Sequence, residues 1–245
     1  VERFEKITFG GNDNLTTLKA NILRATLSKE FSDTRKGNLS IVSSDFEKLY
    51  KNYYASGYTA GETVVTMDGY LDPTERENTI ISGSMVNEVG NHTILIGAEV
   101  IDTTNNNYRY NTFWSTTSDD NEVFNITRPM DFSVNAAGVA TGNDYTADLK
   151  SRTKSDIDVT SIYIQDQIDV SDNLKLMIGG RHDSFDITVT DLKGGTAQSK
   201  KDSKFSPRAG VIFKPQDNIS WYYSYSESFL PRSGEQFKSL SASNA

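Results

Sequence analysis

The sequence contains no cysteine, only two histidines and only five prolines among its 245 residues. Without cysteine, the chain has no disulfide, no thiolate metal ligand and no cysteine nucleophile. Two histidines argue against a multi-histidine metal site. No apolar run approaches the roughly 20 residues that a membrane-spanning helix requires. These absences remove thiol-dependent enzymes and α-helical membrane spans from consideration.

Basic residues are also scarce relative to acidic ones, with 25 Lys and Arg against 33 Asp and Glu and a net charge of −8. This acidity argues against a nucleic-acid partner, because a phosphate backbone is bound by clustered positive charge. The mean hydropathy is −0.52, yet 12 Tyr and 12 Phe are typical of a folded chain. The GxSxG and HExxH motifs and a Ser/His/Asp grouping are absent, so we expect no enzyme and no catalytic residues.

What the sequence does contain is a recurring alternation of apolar and polar residues, while no long window has the helical period. The alternation predicts an all-β chain of about eight strands. The predicted strands are Leu18–Phe31, Gly37–Tyr50, Glu77–Asn87, His92–Asp102, Asp156–Val170, Asn173–Thr188, Lys204–Lys214 and Ile219–Ser228.

The connections between these strands alternate between two classes. The short connections are rich in turn-forming residues, which is typical of hairpins; they are Ser32–Lys36, Glu88–Asn91, Ser171–Asp172 and Pro215–Asn218. The long connections are Lys51–Arg76 and Thr103–Ser155, with a shorter one at Asp191–Ser203. An antiparallel meander with short turns on one rim and long loops on the other is the layout of a transmembrane outer-membrane β-barrel, with periplasmic turns and extracellular loops.

The faces of the predicted strands fit a barrel wall that is apolar outside and polar inside. Val211 and Phe213, for example, share a face opposite Arg208. Asp166 is an exception, because strict alternation places it on the apolar face with Ile164. Since a charge facing lipid costs least near the interface, we expect Asp166 near the short-turn rim.

A soluble β-sandwich binding module is an alternative, because one buried and one wet sheet face produce the same alternation. Strand length favours the barrel. Many of the runs have about 9 to 15 residues, whereas a usual strand has about 5 or 6. Crossing a bilayer takes roughly 9 to 11 tilted residues.

Several stretches carry a more specific pattern. They are "SIYIQDQIDVSDNLKLMIGGRHDSF" (Ser161–Phe185), "FSPRAGVIFKPQDNISWYYSYSESFLPRSGEQF" (Phe205–Phe237) and, more weakly, "HTILIGAEV" (His92–Val100) and "VERFEKITFGG" near the start. A QDQ strand, a GxRxD strand, an SPRxGxxxKP hairpin and a YSxSFxPRxGxQ segment follow one another in this order. The chain thereby resembles the barrel of TonB-dependent siderophore receptors from Gram-negative outer membranes, of the ferric catecholate or a related type. His182 departs from that pattern, since relatives usually carry Tyr there, and we expect it to face outward as an interfacial residue.

The resemblance implies a receptor that binds a ferric siderophore and imports it by TonB-coupled active transport, surrounded by outer-membrane lipid. Iron is carried by the siderophore, so no protein cofactor or metal site is expected. Such receptors have an N-terminal plug domain that contacts TonB and a barrel of about 22 strands. We therefore expect residues 1–245 to be a partial barrel domain, without the plug domain or the remaining strands. A passive porin-like or structural outer-membrane barrel is the alternative function.

The resemblance also implies where a ligand would bind. Ferric catecholates are flat and anionic, so aromatic faces combined with Arg or Lys suit them. The candidate ligand-binding residues in the extracellular loops are Tyr53, Tyr54, Tyr58, Tyr108, Arg109, Tyr110, Phe113, Trp114, Arg128 and Arg232. The charged residues expected to face the lumen, and to pair with one another or with the plug, are Arg24, Glu99, Arg181, Asp183 and Arg208.

Overall fold

The computed structural model describes residues 14–127, 130–216 and 218–229. They form nine β-strands: β1 (Leu15–Ser32), β2 (Arg35–Gly57), β3 (Val64–Val89), β4 (His92–Asn111), β5 (Glu122–Asn125), β6 (Leu149–Ser171), β7 (Leu174–Asp191), β8 (Thr196–Gln216) and β9 (Ile219–Ser226). Among these residues, no helix is long and apolar enough to cross a membrane.

All nine strands belong to one antiparallel sheet. The long strands are neighbours in the order β1-β2-β3-β4-β6-β7-β8-β9, and β5 pairs with the start of β3. In the described part of the chain, β1 and β9 are the two edges of this sheet and do not pair with each other, so the sheet is open. The all-β antiparallel meander predicted from the sequence is therefore confirmed. The described residues contain no second sheet, and the sandwich alternative is not retained.

The strands are longer than the sequence predicted, mainly toward the rim opposite the short turns, which we call the long-loop rim. β2 continues to Gly57 and β3 begins at Val64, so the predicted loop Lys51–Arg76 is largely strand. Similarly, β4 runs to Asn111 and β8 begins at Thr196. The end of β4 and the start of β8 were missed because they carry polar residues on both faces, which leaves no apolar alternation to detect. The start of β3 does alternate, but only over the buried residues Val65 and Met67. The short strand β5 was missed because its four residues, of which Glu122 and Phe124 are buried on one side, are too few to show a period.

One face of the sheet carries a continuous band of apolar side chains, which we call the apolar belt. The pairing register brings its members together from neighbouring strands, as in the row Leu39, Gly83, Ala98 and Ile162. Large members of the belt that are exposed in this sheet are Leu27, Leu39, Ile41, Ile81, Met85, Ile96, Val100, Ile162, Ile164, Ile178, Phe205 and Phe213. So large an exposed apolar surface is typical of a wall that faces lipid. We call the opposite face the polar face.

Asp166 lies on the apolar face, near the short-turn rim, as the alternation predicted. It pairs in register with Ile94, close to the start of β4 at His92. The Nδ1 atom of His92 lies 2.7 Å from Asp166 Oδ2. A polar partner at the rim reduces the cost of placing a carboxyl group on this face.

A charged cluster lies in the middle of the polar face and joins three strands. Arg181 of β7 donates from Nη2 to Glu99 Oε1 of β4 at 2.8 Å, and from Nε to Asp183 Oδ1 at 2.6 Å. It also donates from Nη2 to Ser161 Oγ of β6 at 2.8 Å, and its guanidinium lies 5.8 Å from the ring centroid of Tyr163. We call these residues the Arg181 cluster. One guanidinium thus satisfies polar groups on three strands.

Gly179 of β7 lies where the backbone of β6 approaches closely. A Cβ atom at this position would lie 2.6 Å from the carbonyl oxygen of Ile164, which cannot move without disturbing the ladder. We expect Gly179→Ala to destabilise the barrel by about 1–3 kcal/mol. Gly83→Ala is the matched control, since the nearest atoms to its Cβ would be 3.9 Å away. Urea unfolding of the folded barrel in a bilayer would measure both, and equal stabilities would contradict this geometry.

Removal of the Arg181 side chain leaves two carboxylates facing each other. The side chains of Arg181, Glu99 and Asp183 are 32%, 25% and 13% exposed, so water screens them only in part. We expect Arg181→Met to lower the free energy of unfolding by about 1–3 kcal/mol. Lys19→Met removes an ion pair to Glu47 whose partners are 79% and 66% exposed, and should cost about 0–1 kcal/mol. The same unfolding measurement applies, and a smaller loss for Arg181→Met than for Lys19→Met would show that the cluster does not stabilise the wall.

Candidate ligand-binding site

The candidate site lies on the polar face, at the ends of β2, β3 and β4 near the long-loop rim. The register places Tyr50 opposite Asp72, and Tyr54 opposite Asp68. Across the next pair of strands, Tyr70 is opposite Asn111. Because side chains alternate along a strand, Tyr50, Tyr54, Tyr70, Asp72 and Arg109 all lie on the polar face. We call these five residues the tyrosine–arginine cluster.

Tyr70 is at the centre of this cluster. Its ring centroid lies 5.7 Å from that of Tyr50 and 6.0 Å from that of Tyr54. The guanidinium of Arg109 lies 4.0 Å from the Tyr70 centroid. Arg109 also donates two hydrogen bonds to Asp72, from Nε to Oδ1 at 2.9 Å and from Nη2 to Oδ2 at 3.0 Å. The bidentate pair fixes the plane of the guanidinium, and the guanidinium in turn fixes the ring of Tyr70.

Tyr54 is held by a carboxylate of the neighbouring strand. Its hydroxyl donates to Asp68 Oδ2 at 2.7 Å, at a point of β2 well beyond the apolar belt and outside the membrane. Partial burial and the hydrogen bond to Asp68 raise the pKa of Tyr54 to about 12. The phenol is therefore protonated at neutral pH and acts as a donor.

Two cations flank the tyrosine–arginine cluster on the same face. The Nζ atom of Lys48 lies 5.7 Å from the ring centroid of Tyr50. Arg76 donates from Nε to the side-chain oxygen of Asn105 at 3.2 Å. Among the described residues, neither cation has a carboxylate within ion-pair distance, whereas the charge of Arg109 is compensated by Asp72. The described part of this face therefore presents two cations without an ion-pair partner beside three aromatic rings, while Asp68 on the same face is hydrogen-bonded to Tyr54.

Several candidates that the sequence analysis placed in loops lie in strands. Tyr53 and Tyr54 belong to β2, and Tyr108, Arg109 and Tyr110 belong to β4. The prediction of loop positions for these residues was wrong, because the polar strand ends were read as loops. The alternation then divides them, since Tyr54 and Arg109 lie on the polar face while the other three lie on the opposite side.

The residues on the opposite side make contacts with each other or with the long connection between β4 and β6. The rings of Tyr108 and Tyr110 are parallel within 2°, with centroids 6.5 Å apart. Tyr53 and Trp114 are 7% and 1% exposed. They belong to an apolar cluster, which we call the loop core, with the members Tyr53, Val65, Met67, Trp114, Phe124 and Met130. Side chains inside this core have no surface for a ligand.

Hydrogen bonds from the loop core to the surrounding chain keep it in place. The indole N–H of Trp114 donates to the carbonyl oxygen of Asp120 at 3.1 Å, and Asn143 donates to the hydroxyl of Tyr53 at 3.1 Å. Asn111 at the end of β4 donates to Asp120 Oδ2 at 2.9 Å. Burial, together with a hydrogen bond to Asp119, raises the pKa of Asp120. The long connection is thus a folded unit attached to the strand ends.

The remaining candidates are placed as follows. Tyr58 follows β2 and is 43% exposed. Phe113 follows β4, and its main-chain N–H donates to the side-chain oxygen of Asn143 at 2.8 Å. Arg128 and Arg232 lie outside the described residues. On the polar face, the register places Arg24 opposite Val42 at the edge strand and Arg208 opposite Gly179, and neither joins the Arg181 cluster.

The list of candidates predicted from the sequence omitted five residues of this site: Lys48, Tyr50, Tyr70, Asp72 and Arg76. The signal that could have found them is spacing. Tyr50, Asn52 and Tyr54 are two residues apart, as are Tyr70 and Asp72, which places each set on one face of an extended strand. That signal becomes useful only once β2 and β3 are known to continue past the apolar belt.

Comparison with known proteins identifies the family. Residues 4–245 match the family described as TonB dependent receptor-like, beta-barrel. The chain is 30% identical over 144 residues to the ferrichrome outer membrane transporter/phage receptor of Escherichia coli strain K12, covering 58% of this chain and 18% of that protein. It is 26% identical over 185 residues to the ferrioxamine B receptor of Salmonella typhimurium strain SL1344, covering 74% of this chain and 24% of that protein. The chain thus spans less than a quarter of the length of these curated relatives.

Solved structures share the fold. The open form of the ferric-catecholate import receptor Fiu from Escherichia coli K12 matches 91% of this chain and 37% of its own, with a TM-score of 0.70 and 14% identity. The ferripyoverdine receptor of Pseudomonas aeruginosa matches 87% of this chain and 27% of its own, with a TM-score of 0.68 and 17% identity. The chain therefore belongs to the TonB-dependent receptor β-barrel family, whose members are outer-membrane proteins of Gram-negative bacteria.

Proposed function

We propose that this chain forms part of the wall and of the ligand-binding surface of a receptor that imports a ferric siderophore by TonB-coupled transport. The observation that carries the proposal is the tyrosine–arginine cluster with its two flanking cations, at the outer end of the polar face of an outer-membrane barrel wall. The names of the relatives, which are receptors for ferrichrome and ferrioxamine B, support the same class of ligand.

The chemistry of the site suits a large anionic chelate. The rings of Tyr50 and Tyr70 offer faces to flat groups, and the hydroxyl of Tyr54 is protonated. Lys48 and Arg76 attract negative charge, whereas Arg109 is bound to Asp72 and positions the ring of Tyr70. Iron stays on its chelator, so the protein supplies stacking and charge. This combination favours a catecholate-type ferric siderophore.

We further propose that the chain is one portion of a longer receptor. In the described residues, the outer edges of β1 and β9 have no strand partner. Backbone N–H and C=O groups cannot remain unpaired in lipid, so additional strands must complete the wall. A plug domain elsewhere in the receptor would bind TonB, and residues 1–245 would form only part of the barrel.

Transport driven by TonB distinguishes an importer from a passive barrel. Cells that carry the complete receptor should accumulate radiolabelled ferric siderophore, and cells that lack TonB should bind it without accumulating it. A passive porin-like barrel would pass the chelate at the same rate in both strains. Accumulation independent of TonB would therefore reject the proposed function in favour of that alternative.

Substitution on the polar face should weaken ligand binding, while substitution one residue away on the opposite face should not. We expect Tyr70→Ala and Arg76→Gln in the complete receptor to lower the affinity for a ferric catecholate by about 2- to 30-fold each. Tyr108→Ala is the matched control, because Tyr108 adjoins Arg109 in β4 but lies on the other face.

Fluorescence titration with ferric catecholate, hydroxamate and mixed chelates would measure these affinities. Arg76→Gln should weaken the most negatively charged chelate most, and this loss should shrink at high salt because the interaction is electrostatic. Equal effects of Arg76→Gln and Tyr108→Ala on every chelate would reject the assignment of the polar-face site.

A further inference from the structure

A groove crosses the apolar belt from β1 to β8, on the face opposite the ligand-binding site. Its volume is about 860 Å³. Its base is formed by small residues: Gly83 and Ala98 leave it open, while the rings of Phe31 and Phe205 lie over Gly37 and Gly180. Its walls include Leu27, Phe31, Leu39, Met85, Ile96 and Phe205. A shape of this kind, apolar throughout its middle, can hold a hydrocarbon chain.

The groove has a positively charged end at the short-turn rim. Lys29 lines it there, paired in register with Gly37. Arg35 lies on the same face of β2, opposite Asn87, to which it donates from Nε at 2.7 Å. Within the described ranges, neither Lys29 nor Arg35 forms an ion pair. The nearby carboxylate of Glu30 is on the polar face and is bound to Lys36 at 3.0 Å.

The other ionisable groups near this end of the groove are His92 and Asp166 on the apolar face and Asp33 in the turn between β1 and β2. His92 and Asp166 form a hydrogen-bonded pair at 2.7 Å. Among the described residues, no carboxylate of this rim lies within ion-pair distance of Lys29 or Arg35, so both cations lie at this end of the groove without an ion-pair partner. In lipid, a cation that lies beside the hydrocarbon region is best compensated by the phosphate of a headgroup.

We propose that this groove binds one acyl chain of an anionic phospholipid from the leaflet at the short-turn rim, with the phosphate at Lys29 and Arg35. The apolar middle of the groove can hold an acyl chain, and the cations at its end favour a headgroup with a net negative charge. A zwitterionic lipid offers the same chain, but its own cation offsets the attraction. The inference requires that this protein forms part of an outer-membrane barrel wall, and it does not depend on which siderophore the receptor binds.

Different variants test the binding of the acyl chain and the binding of the headgroup. Lys29→Gln and Arg35→Gln remove the charge and leave the groove open. Lys19→Gln is the control, because Lys19 lies on the same face of β1 but far from the groove, paired with Glu47 at 3.2 Å. Gly83→Leu places a side chain in the groove, and its Cβ atom would have no neighbour closer than 3.9 Å. Gly83→Ala is its control.

Native mass spectrometry of the complete receptor, with phosphatidylglycerol and phosphatidylcholine of identical acyl chains added in turn, tests the proposal. We expect the wild type to retain phosphatidylglycerol preferentially. Each of Lys29→Gln and Arg35→Gln should lower that retention about fivefold, and Lys19→Gln should leave it unchanged. Gly83→Leu should lower the retention of both lipids, and Gly83→Ala should change neither.

Equal retention of the two lipids by the wild type, or equal effects of Lys29→Gln and Lys19→Gln, would overturn the proposal. If Gly83→Leu did not fold, the comparison of Lys29→Gln with Lys19→Gln would decide it alone. Siderophore titration of the same samples separates the two proposals. A variant that loses lipid selectivity but keeps its siderophore affinity affects the groove and not the ligand-binding site.

Discussion

Backbone hydrogen bonding in lipid is the constraint on which the rest of this structure depends. Every N–H and C=O group at membrane depth needs a partner, and here neighbouring antiparallel strands supply it along their full length. The ladder also fixes the direction of every side chain. Arg109 lies on the polar face while its neighbours Tyr108 and Tyr110 lie on the other, and the same rule places Ile162 in the apolar belt beside Ser161 of the Arg181 cluster.

The part of the fold that the sequence predicted is the part in contact with lipid. There, every second residue must be apolar, so the alternation is strong and the strands around Ile96, Ile164 and Val211 could be recognised. Beyond the belt most residues of these strands are polar on both faces and the alternation weakens. We therefore predicted β2 and β4 to end seven and nine residues too early, and β3 to begin 13 residues too late. The site was affected most, since its residues lie at those ends.

The loop core shows a second limit of sequence reasoning. Trp114 and Tyr53 are aromatic residues in mostly polar segments. In the sequence, such residues are equally consistent with stacking on a ligand and with packing in a small core. The difference lies in tertiary contacts, because β5 pairs with β3 and brings Phe124 against Trp114, with ring centroids 4.9 Å apart. Burial of such rings stabilises the connection. No local pattern in the sequence records that pairing.

The Arg181 cluster contributes more to register than to net stability. A partly buried ion pair gains little over its desolvation cost, but its geometry is specific. Arg181 reaches Glu99, Ser161 and Asp183 on three strands only in the observed register. A slip of β6 by one residue would turn Ser161 to lipid and Ile162 to the lumen, and the cluster would lose its middle member. Polar contacts on the inner face thereby maintain the apolar belt on the outer one.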